Sequence, residues 1–187
     1  FNGCTKLQAI PLLNTSKVTN MNSMFYNCEK LQSIQQLDTS NVTNTNSMFT
    51  NCYDLQTIQQ LNTSKVTRIE RMFNMCSKLQ TIHLSDTSNA TSMQYMFNGC
   101  TKLQAISQLN TSKITNIERM FANCQLLPKI DLTSMDKITS SYSSSQAFYS
   151  CYSLTKLIIR TMTTIPVLNS NAFSGCRSLQ KVSMTDN

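Results

Sequence analysis

The eleven residues MFYNCEKLQSI, Met24–Ile34, return as MFTNCYDLQTI at Met48–Ile58, MFNMCSKLQTI at Met72–Ile82 and MFNGCTKLQAI at Met96–Ile106. The chain has eight Phe and eight Cys, and each Phe lies three residues before a Cys. The sequence numbers of successive cysteines differ by 24 five times, then by 27 and by 25, along Cys4, Cys28, Cys52, Cys76, Cys100, Cys124, Cys151 and Cys176. A fixed period of this length is typical of a stacked repeat protein, here with about eight coils of about 24 residues.

Each coil contains signals for a short helix followed by a short strand. Apolar residues before each cysteine follow a helical spacing. Thr43 can cap such a helix, and the pairs Thr67–Glu70 and Thr115–Glu118 have the spacing of a capping box. The residue before each cysteine is mostly Gly or Asn, which predicts a left-handed helix end. Leu-x-x-Ile then predicts a strand, and NTSK or DTSN a turn.

One such unit cannot bury its own apolar face, so stacked coils must share a core. The predicted core residues are Phe25, Cys28, Leu31, Ile34, Phe49, Cys52, Leu55, Ile58, Phe73, Cys76, Leu79, Ile82, Phe97, Cys100, Leu103, Ile106, Phe121 and Cys124. A strict period gives every cysteine the same environment, whereas disulfides between neighbouring coils would need alternation. We therefore predict free, buried thiols. The sequence has no CxxC motif and one histidine, His83, so we predict no metal site and no cofactor.

Two segments carry a family resemblance. NAFSGCRSLQKV at Asn171–Val182 resembles the BspA-type leucine-rich repeats of bacterial surface proteins, and SKVTNMNSMFYNCEKLQSI at Ser16–Ile34 is similar to a sister repeat of surface lipoproteins in bacteria and some protists. The resemblance implies an α/β leucine-rich-repeat solenoid over residues 1–187, with parallel strands on the concave side and helices on the convex side. It also implies a single domain at the cell surface or secreted, with no shared catalytic residues. Because a soluble array needs caps, we expect a fragment of a longer array.

Exposed strand residues on the concave side are the predicted binding surface. The candidates are Ser33, Gln35, Thr57, Gln59, Thr81, His83, Ser107, Lys129, Asp131, Lys156 and Lys181. The net charge is +7, and three of these lysines share one column, which favours an anionic extracellular glycan or protein as partner. Nucleic acid is not indicated, since no aromatic residues are interleaved with the basic ones. His83 has no partner acid or nucleophile, so we predict a non-enzymatic adhesion or recognition scaffold, attached to a membrane only through an anchor outside this segment.

Several alternatives stay open at the level of sequence. A uniform stack could self-associate end to end as a surface fibre or coat, and the lysines could serve only as solvated edges. Gln36, Gln60 and Gln108 could point inward as amide ladders or outward, and Leu12, Leu84 and Leu132 in the same column favour inward for some copies. Five sequons predict turns, or glycosylation in a eukaryotic host, at Asn14, Asn41, Asn62, Asn89 and Asn110. Two threonine columns could match an ice lattice: Thr15, Thr39, Thr63, Thr87, Thr111 and Thr19, Thr43, Thr67, Thr91, Thr115.

Overall fold

A computed structural model describes residues 1–135, 137–138, 142–160, 168 and 170–185 of the 187-residue chain. Seven short strands recur along it: β1 (Ser33–Ile34), β2 (Thr57–Ile58), β3 (Thr81–Ile82), β4 (Ala105–Ile106), β5 (Lys129–Leu132), β6 (Lys156–Arg160) and β7 (Lys181–Thr185). Two single-turn 3-10 helices span Tyr142–Ser144 and Ser170–Phe173.

All strand pairs are parallel and keep the register of the repeat. β1 pairs with β2, β3 with β4, and β6 lies between β5 and β7. The ladder continues between β2 and β3 at Gln80, whose N–H donates to the carbonyl of Gln56. Short parallel strands joined by one crossover per coil are the arrangement of a solenoid, as predicted.

The predicted convex-side helices and their caps are wrong. The described residues contain no α-helix, and residues 20–28 form two successive tight turns. The N–H groups of Met24 and Cys28 donate to carbonyls three residues back, while those of Ser23 and Phe25 donate to carbonyls of the next coil. An α-helix keeps its hydrogen bonds within itself, so it could not form this second ladder between coils. Successive turns repeat the helical 3–4 residue spacing of apolar side chains, which explains the wrong assignment.

The threonines assigned as caps belong to this turn ladder. The hydroxyls of Thr43, Thr67 and Thr115 each donate to the carbonyl of the threonine one coil earlier, at 3.2 Å. In each case the backbone N–H of the same threonine donates to that carbonyl as well. Of the two capping-box glutamates, Glu118 has other contacts, described below, whereas Oε2 of Glu70 is buried without a hydrogen-bond partner among the described residues.

The predicted left-handed position before each cysteine is confirmed, with φ between 56° and 85° at all eight residues. A second left-handed column, four residues earlier, was not predicted. It comprises Ser23, Ser47, Arg71, Tyr95, Arg119 and Gln146, with φ between 50° and 57°. In the first column a Cβ at Gly99 would also meet the sulfur of the flexible Met75 side chain, which would have to move.

The core is organised as two side-chain ladders. The eight phenylalanine rings stack in sequence with centroids 5.4–6.0 Å apart and interplanar angles of 3–14°. Each cysteine Sγ from Cys28 onward donates to the carbonyl of the phenylalanine one coil earlier, as from Cys52 to Phe25 at 3.1 Å. That carbonyl also accepts the N–H of Cys28. A small apolar side chain that carries one donor is therefore suited to this position.

The structure places the eighteen predicted core residues inside, Ile106 only partly buried. The eight thiols are free, with Cys4 exposed, Cys176 half-buried and the other six buried.

The column of Gln36, Gln60 and Gln108 points outward, and the inward alternative is wrong for these residues. Leu84 and Leu132 of that column are buried, whereas Leu12 is 78 % exposed. Leu84 forms a bridge with Leu61, 23 residues earlier, whereas the repeat period is 24 residues. This shift by one position turns the side chain of Leu84 inward. Ser85 is the extra residue after it, and its N–H donates to the carbonyl of Leu61. A slip of one position therefore exchanges the inward and outward sides.

Candidate functional site

The strand face consists of the outward residues of β1–β7 and the position that follows each of the short strands. On it, Gln35, Thr57, Gln59, Thr81, His83, Lys129 and Lys181 are exposed, and Ser33, Ser107, Asp131 and Lys156 are partly exposed. Strand pairing brings Ser33 opposite Thr57. The predicted surface residues thus lie on the outward side of the strands, small and neutral at first and basic at the end.

The basic end of this face is built from longer strands. β1–β4 have two residues each. After β1 and β2 two exposed glutamines follow the strand, so the alternation of inward and outward residues stops there. In β5, Ile130 and Leu132 are buried while Lys129 and Asp131 face outward. β5 has four residues and β6 and β7 have five. This alternation is the pattern of a half-buried strand, so the strands are longest at the basic end of the strand face.

Three lysines lie in direct register on these longer strands. Lys129 is paired with Lys156, and Lys156 with Lys181. The carboxylate of Asp131 lies 3.7 Å from the ammonium nitrogen of Lys129, the one ion pair within this group among the described residues. A shallow depression of about 200 Å³ opens beside them, lined by Ile106, Ser107, Gln108, Lys129 and Asp131. The geometry concentrates positive charge on a rigid, open surface.

At the turn after each strand, the repeat keeps lysines apart by alternation. The column there reads Lys17, Asn41, Lys65, Asn89, Lys113. The ammonium of Lys65 donates to Oδ1 of Asn41 at 2.7 Å, and Nδ2 of Asn41 donates to the carbonyl of Ser16 at 2.9 Å. Equivalent bonds recur two coils later at Lys113 and Asn89. The two-coil period therefore inserts a neutral amide between like charges.

Aspartates follow the same rule. Asp38 and Asp86 alternate with Asn14, Asn62 and Asn110 along the neighbouring column. The N–H and hydroxyl of Ser88 hydrogen-bond to the carboxylate of Asp86, and these bonds hold its pKa below the usual range, with a smaller effect from Lys113.

In the column that follows each cysteine, an aspartate lies between lysines of neighbouring coils and compensates their charge. Asp54 lies 2.8 Å from Lys78 and 3.3 Å from Lys30, and these hydrogen bonds, Lys78 first, lower the pKa of its carboxyl. The neighbours Lys6–Lys30 and Lys78–Lys102 are adjacent in this column. The three strand-face lysines differ in lying on paired strands of one sheet, with all three of them in consecutive coils.

The alternation can be tested with Asn89→Lys, which places three lysines in adjacent coils. We expect the free energy of unfolding to fall by about 1 kcal/mol, because the substitution removes two side-chain hydrogen bonds and adds like-charge repulsion. Urea denaturation at low ionic strength measures the change. Gln56→Lys is the matched control, since it adds the same charge at an exposed position between Gln32 and Gln80. Equal stability of Asn89→Lys and the parent would contradict the electrostatic explanation.

A cluster that the sequence reasoning missed lies on the turn segments. The guanidinium carbons of Arg71 and Arg119 lie 5.0 and 5.6 Å from the ring centre of Tyr95, in the coils before and after it. The hydroxyl of Tyr95 donates to Glu118 at 3.1 Å, and Gln94 donates to the other oxygen of that carboxylate. Burial, and then Glu118, raise the pKa of Tyr95. We call Arg71, Tyr95 and Arg119 the arginine–tyrosine platform.

The repeat did contain a signal for this platform. IERMF occurs twice, at Ile69–Phe73 and Ile117–Phe121, and MQYMF at Met93–Phe97 lies midway between them. Alignment of the three coils places Arg71, Tyr95 and Arg119 at one repeat position. The preceding position then holds Glu70, Gln94 and Glu118.

The two threonine columns differ in exposure. Thr15, Thr39, Thr63, Thr87 and Thr111 are buried and cannot contact an ice surface, whereas Thr19, Thr43, Thr67, Thr91 and Thr115 are exposed. At the sequons, the side chains of Asn14, Asn62 and Asn110 accept the N–H and hydroxyl of the serine two residues on. These are turn-forming hydrogen bonds, the use of these residues that the sequence favoured.

Within the described ranges, no three His, Cys, Asp or Glu residues are grouped to hold a metal ion. No helix in that part of the chain is long and apolar enough to cross a membrane.

The chain was compared with protein-family models. The model described as "Mycoplasma protein of unknown function, DUF285" matches residues 1–104 and, in a second match, 51–162. The chain belongs to this family. Its repeats are of the BspA type, so the resemblance seen in the sequence is confirmed. Among solved structures, the DUF285 chain is similar to a leucine rich cell surface protein from Faecalibacterium prausnitzii A2-165, at 20% identity and a TM-score of 0.40, over 100% of this chain and 75% of that one. No curated protein sequence matches it.

Proposed function

We propose that this chain is a non-enzymatic recognition module of a surface repeat protein, which binds anionic extracellular glycans through the basic end of its strand face. The in-register column of Lys129, Lys156 and Lys181 is the observation that supports it. The BspA-type repeat supports a cell-surface or secreted location and an adhesive role.

Stacked lysines favour an anionic ligand for a physical reason. Strand neighbours lie about 4.8 Å apart, and like charges directly opposite each other destabilise a sheet. Asp131 pairs only with Lys129, at 3.7 Å, among the residues that the structure describes. An anionic polymer laid across the strands would neutralise all three ammonium groups together, and the relief of their repulsion would add to its affinity.

The strand face also indicates how tight the binding is. Its candidate residues include no aromatic side chain, and aromatic anchors dominate tight interfaces. Each module therefore binds weakly, and useful attachment comes from many copies on one surface.

The variant Lys129→Thr, Lys156→Thr, Lys181→Thr tests this proposal. Threonine occupies the same column at Thr57 and Thr81, so the strands are preserved. We expect binding to immobilised heparin, the anionic glycan used as probe, to fall by about tenfold at low salt, about 50 mM. The difference should shrink to about twofold in about 500 mM salt, because exposed charges are screened over a few Å there.

The matched control is Lys17→Thr, Lys65→Thr, Lys113→Thr, which removes the same charge from the turn column. If both triple variants lose binding equally, the effect is net charge and the strand face is not the site. If the strand-face variant binds like the parent at low salt, the proposal is wrong and the self-assembly alternative becomes the better one.

A further inference from the structure

The arginine–tyrosine platform lies on a different face from the lysine column and has no role in the glycan proposal. We propose that it is a second binding site, which recognises an acidic segment of a partner protein through two suitably spaced carboxylates.

The two guanidinium groups are cations without an acidic partner. Among the described residues, no carboxylate lies within ion-pair distance of Arg71 or Arg119. The carboxylate of this cluster, Glu118, is held by the hydroxyl of Tyr95 and the amide of Gln94. Both arginines are exposed, so their N–H edges are open to a ligand.

Stacking on one ring holds the two arginines in place. A guanidinium over an aromatic face is stabilised by cation–π attraction and loses less freedom on binding than an unsupported side chain. The arginines lie two coils apart, which corresponds to about 10 Å. Each guanidinium can bind one carboxylate through two parallel N–H···O bonds. The platform therefore suits two carboxylates at that separation.

The composition of the platform favours a protein over a glycan. Tyr and Arg are among the residues most enriched in the energetic centres of protein–protein interfaces. The strand face has lysines without aromatic neighbours, which suits a flexible polyanion, whereas the platform has planar groups in fixed positions, which suit carboxylates in a defined arrangement. Three of the five arginines of the chain, Arg68, Arg71 and Arg119, lie in these turn segments.

The repeat sets the backbone conformation of the platform. Arg71, Tyr95 and Arg119 have φ of 57°, 57° and 50°, a region that is unfavourable for large side chains. The same column has Ser23 and Ser47 in the earlier coils. Gln146 has the same conformation, so this conformation belongs to the repeat and places the three platform residues in one column.

The experiment follows the guanidinium signals of Arg71 and Arg119 by NMR while a peptide is added. The probe peptides carry two glutamates separated by zero to five serines. We expect both signals to shift, and the dissociation constant to be lowest for the peptides whose carboxylates can span two coils. Arg71→Lys with Arg119→Lys keeps the charge but loses the planar fork, and we expect at least tenfold weaker binding.

Arg71→Asn with Arg119→Asn separates binding from folding. Asparagine tolerates the left-handed region, so we expect a melting temperature at or above that of the parent together with loss of peptide binding. Unmoved arginine signals, or binding that the lysine variant retains in full, would overturn the proposal. So would signals that shift only with a heparin oligosaccharide, since the ligand would then be a glycan.

Discussion

Between pH 8 and pH 10 we expect the free energy of unfolding to fall by about 5–6 kcal/mol, because buried thiols ionise only when the chain unfolds. Burial raises the pKa of Cys52, Cys76, Cys100 and Cys124 above the ordinary value of 9.0. A group whose pKa is raised by folding contributes stability that is present below its unfolded pKa and lost above it. Each thiol then contributes a slope of about 1.4 kcal/mol per pH unit above pH 9.

Guanidinium denaturation at several pH values, under reducing conditions and followed by circular dichroism, measures this slope. The control is Cys76→Ser with Cys100→Ser. A serine hydroxyl can donate to the carbonyls of Phe49 and Phe73, as the thiols do at 3.1 Å, but it does not titrate in this range. We expect the control to lose about 3 kcal/mol of the pH dependence, the share of two thiols. A slope that the two substitutions leave unchanged would show that other groups cause it.

The core was predictable because its residues recur with a strict period. Phe, Cys, Leu and Ile recur at fixed offsets, and residues such as Phe49 and Leu55 are fully buried. Stacking of identical coils requires that a residue buried in one coil be buried in the next. A burial assignment that is correct for one coil therefore holds for the equivalent residues of the others.

The turn segments were not predictable from the same period. Apolar spacing of three and four residues is shared by an α-helix and by successive tight turns, so Met21, Met24 and Phe25 fit both. The decisive difference is where alternate N–H groups donate, and Ser23 and Phe25 donate to the next coil. A serine at φ 55° gives no sequence signal, whereas the Asn and Gly residues of the other left-handed column did.

The candidate site was predictable in part for a similar reason. Lys129, Lys156 and Lys181 occupy one repeat position, and parallel pairing places one repeat position in one column. The platform combines Arg71, Tyr95 and Arg119, three residues that share a position but not a residue type. Its chemistry follows from contacts between coils, which a consensus repeat does not show. Glycan binding by the lysine column stays a prediction.

Phe73→Ala is expected to lower the free energy of unfolding by about 3–5 kcal/mol, as for a large buried side chain removed from a packed core. The ring of Phe73 lies 5.6 Å from that of Phe49 and 5.8 Å from that of Phe97, so its loss interrupts the ladder on both sides. Stacked aromatic pairs contribute about 0.5–1.5 kcal/mol each beyond their buried area. Denaturant unfolding gives the total change.

Phe73→Leu separates the ladder from the volume, because leucine refills much of the space without a ring. We expect it to cost about half as much as Phe73→Ala. Each coil contacts only its neighbours, so amide exchange should accelerate around residues 49–97 in both variants while Ile130 in β5 stays protected. Phe49 and Phe73 are informative probes, since their N–H groups donate to Met72 and Met96 in the following coils. Uniform acceleration of amide exchange along the whole chain would show that the coils unfold as one unit. Unchanged exchange in residues 49–97 would show that the phenylalanine ladder does not hold neighbouring coils together.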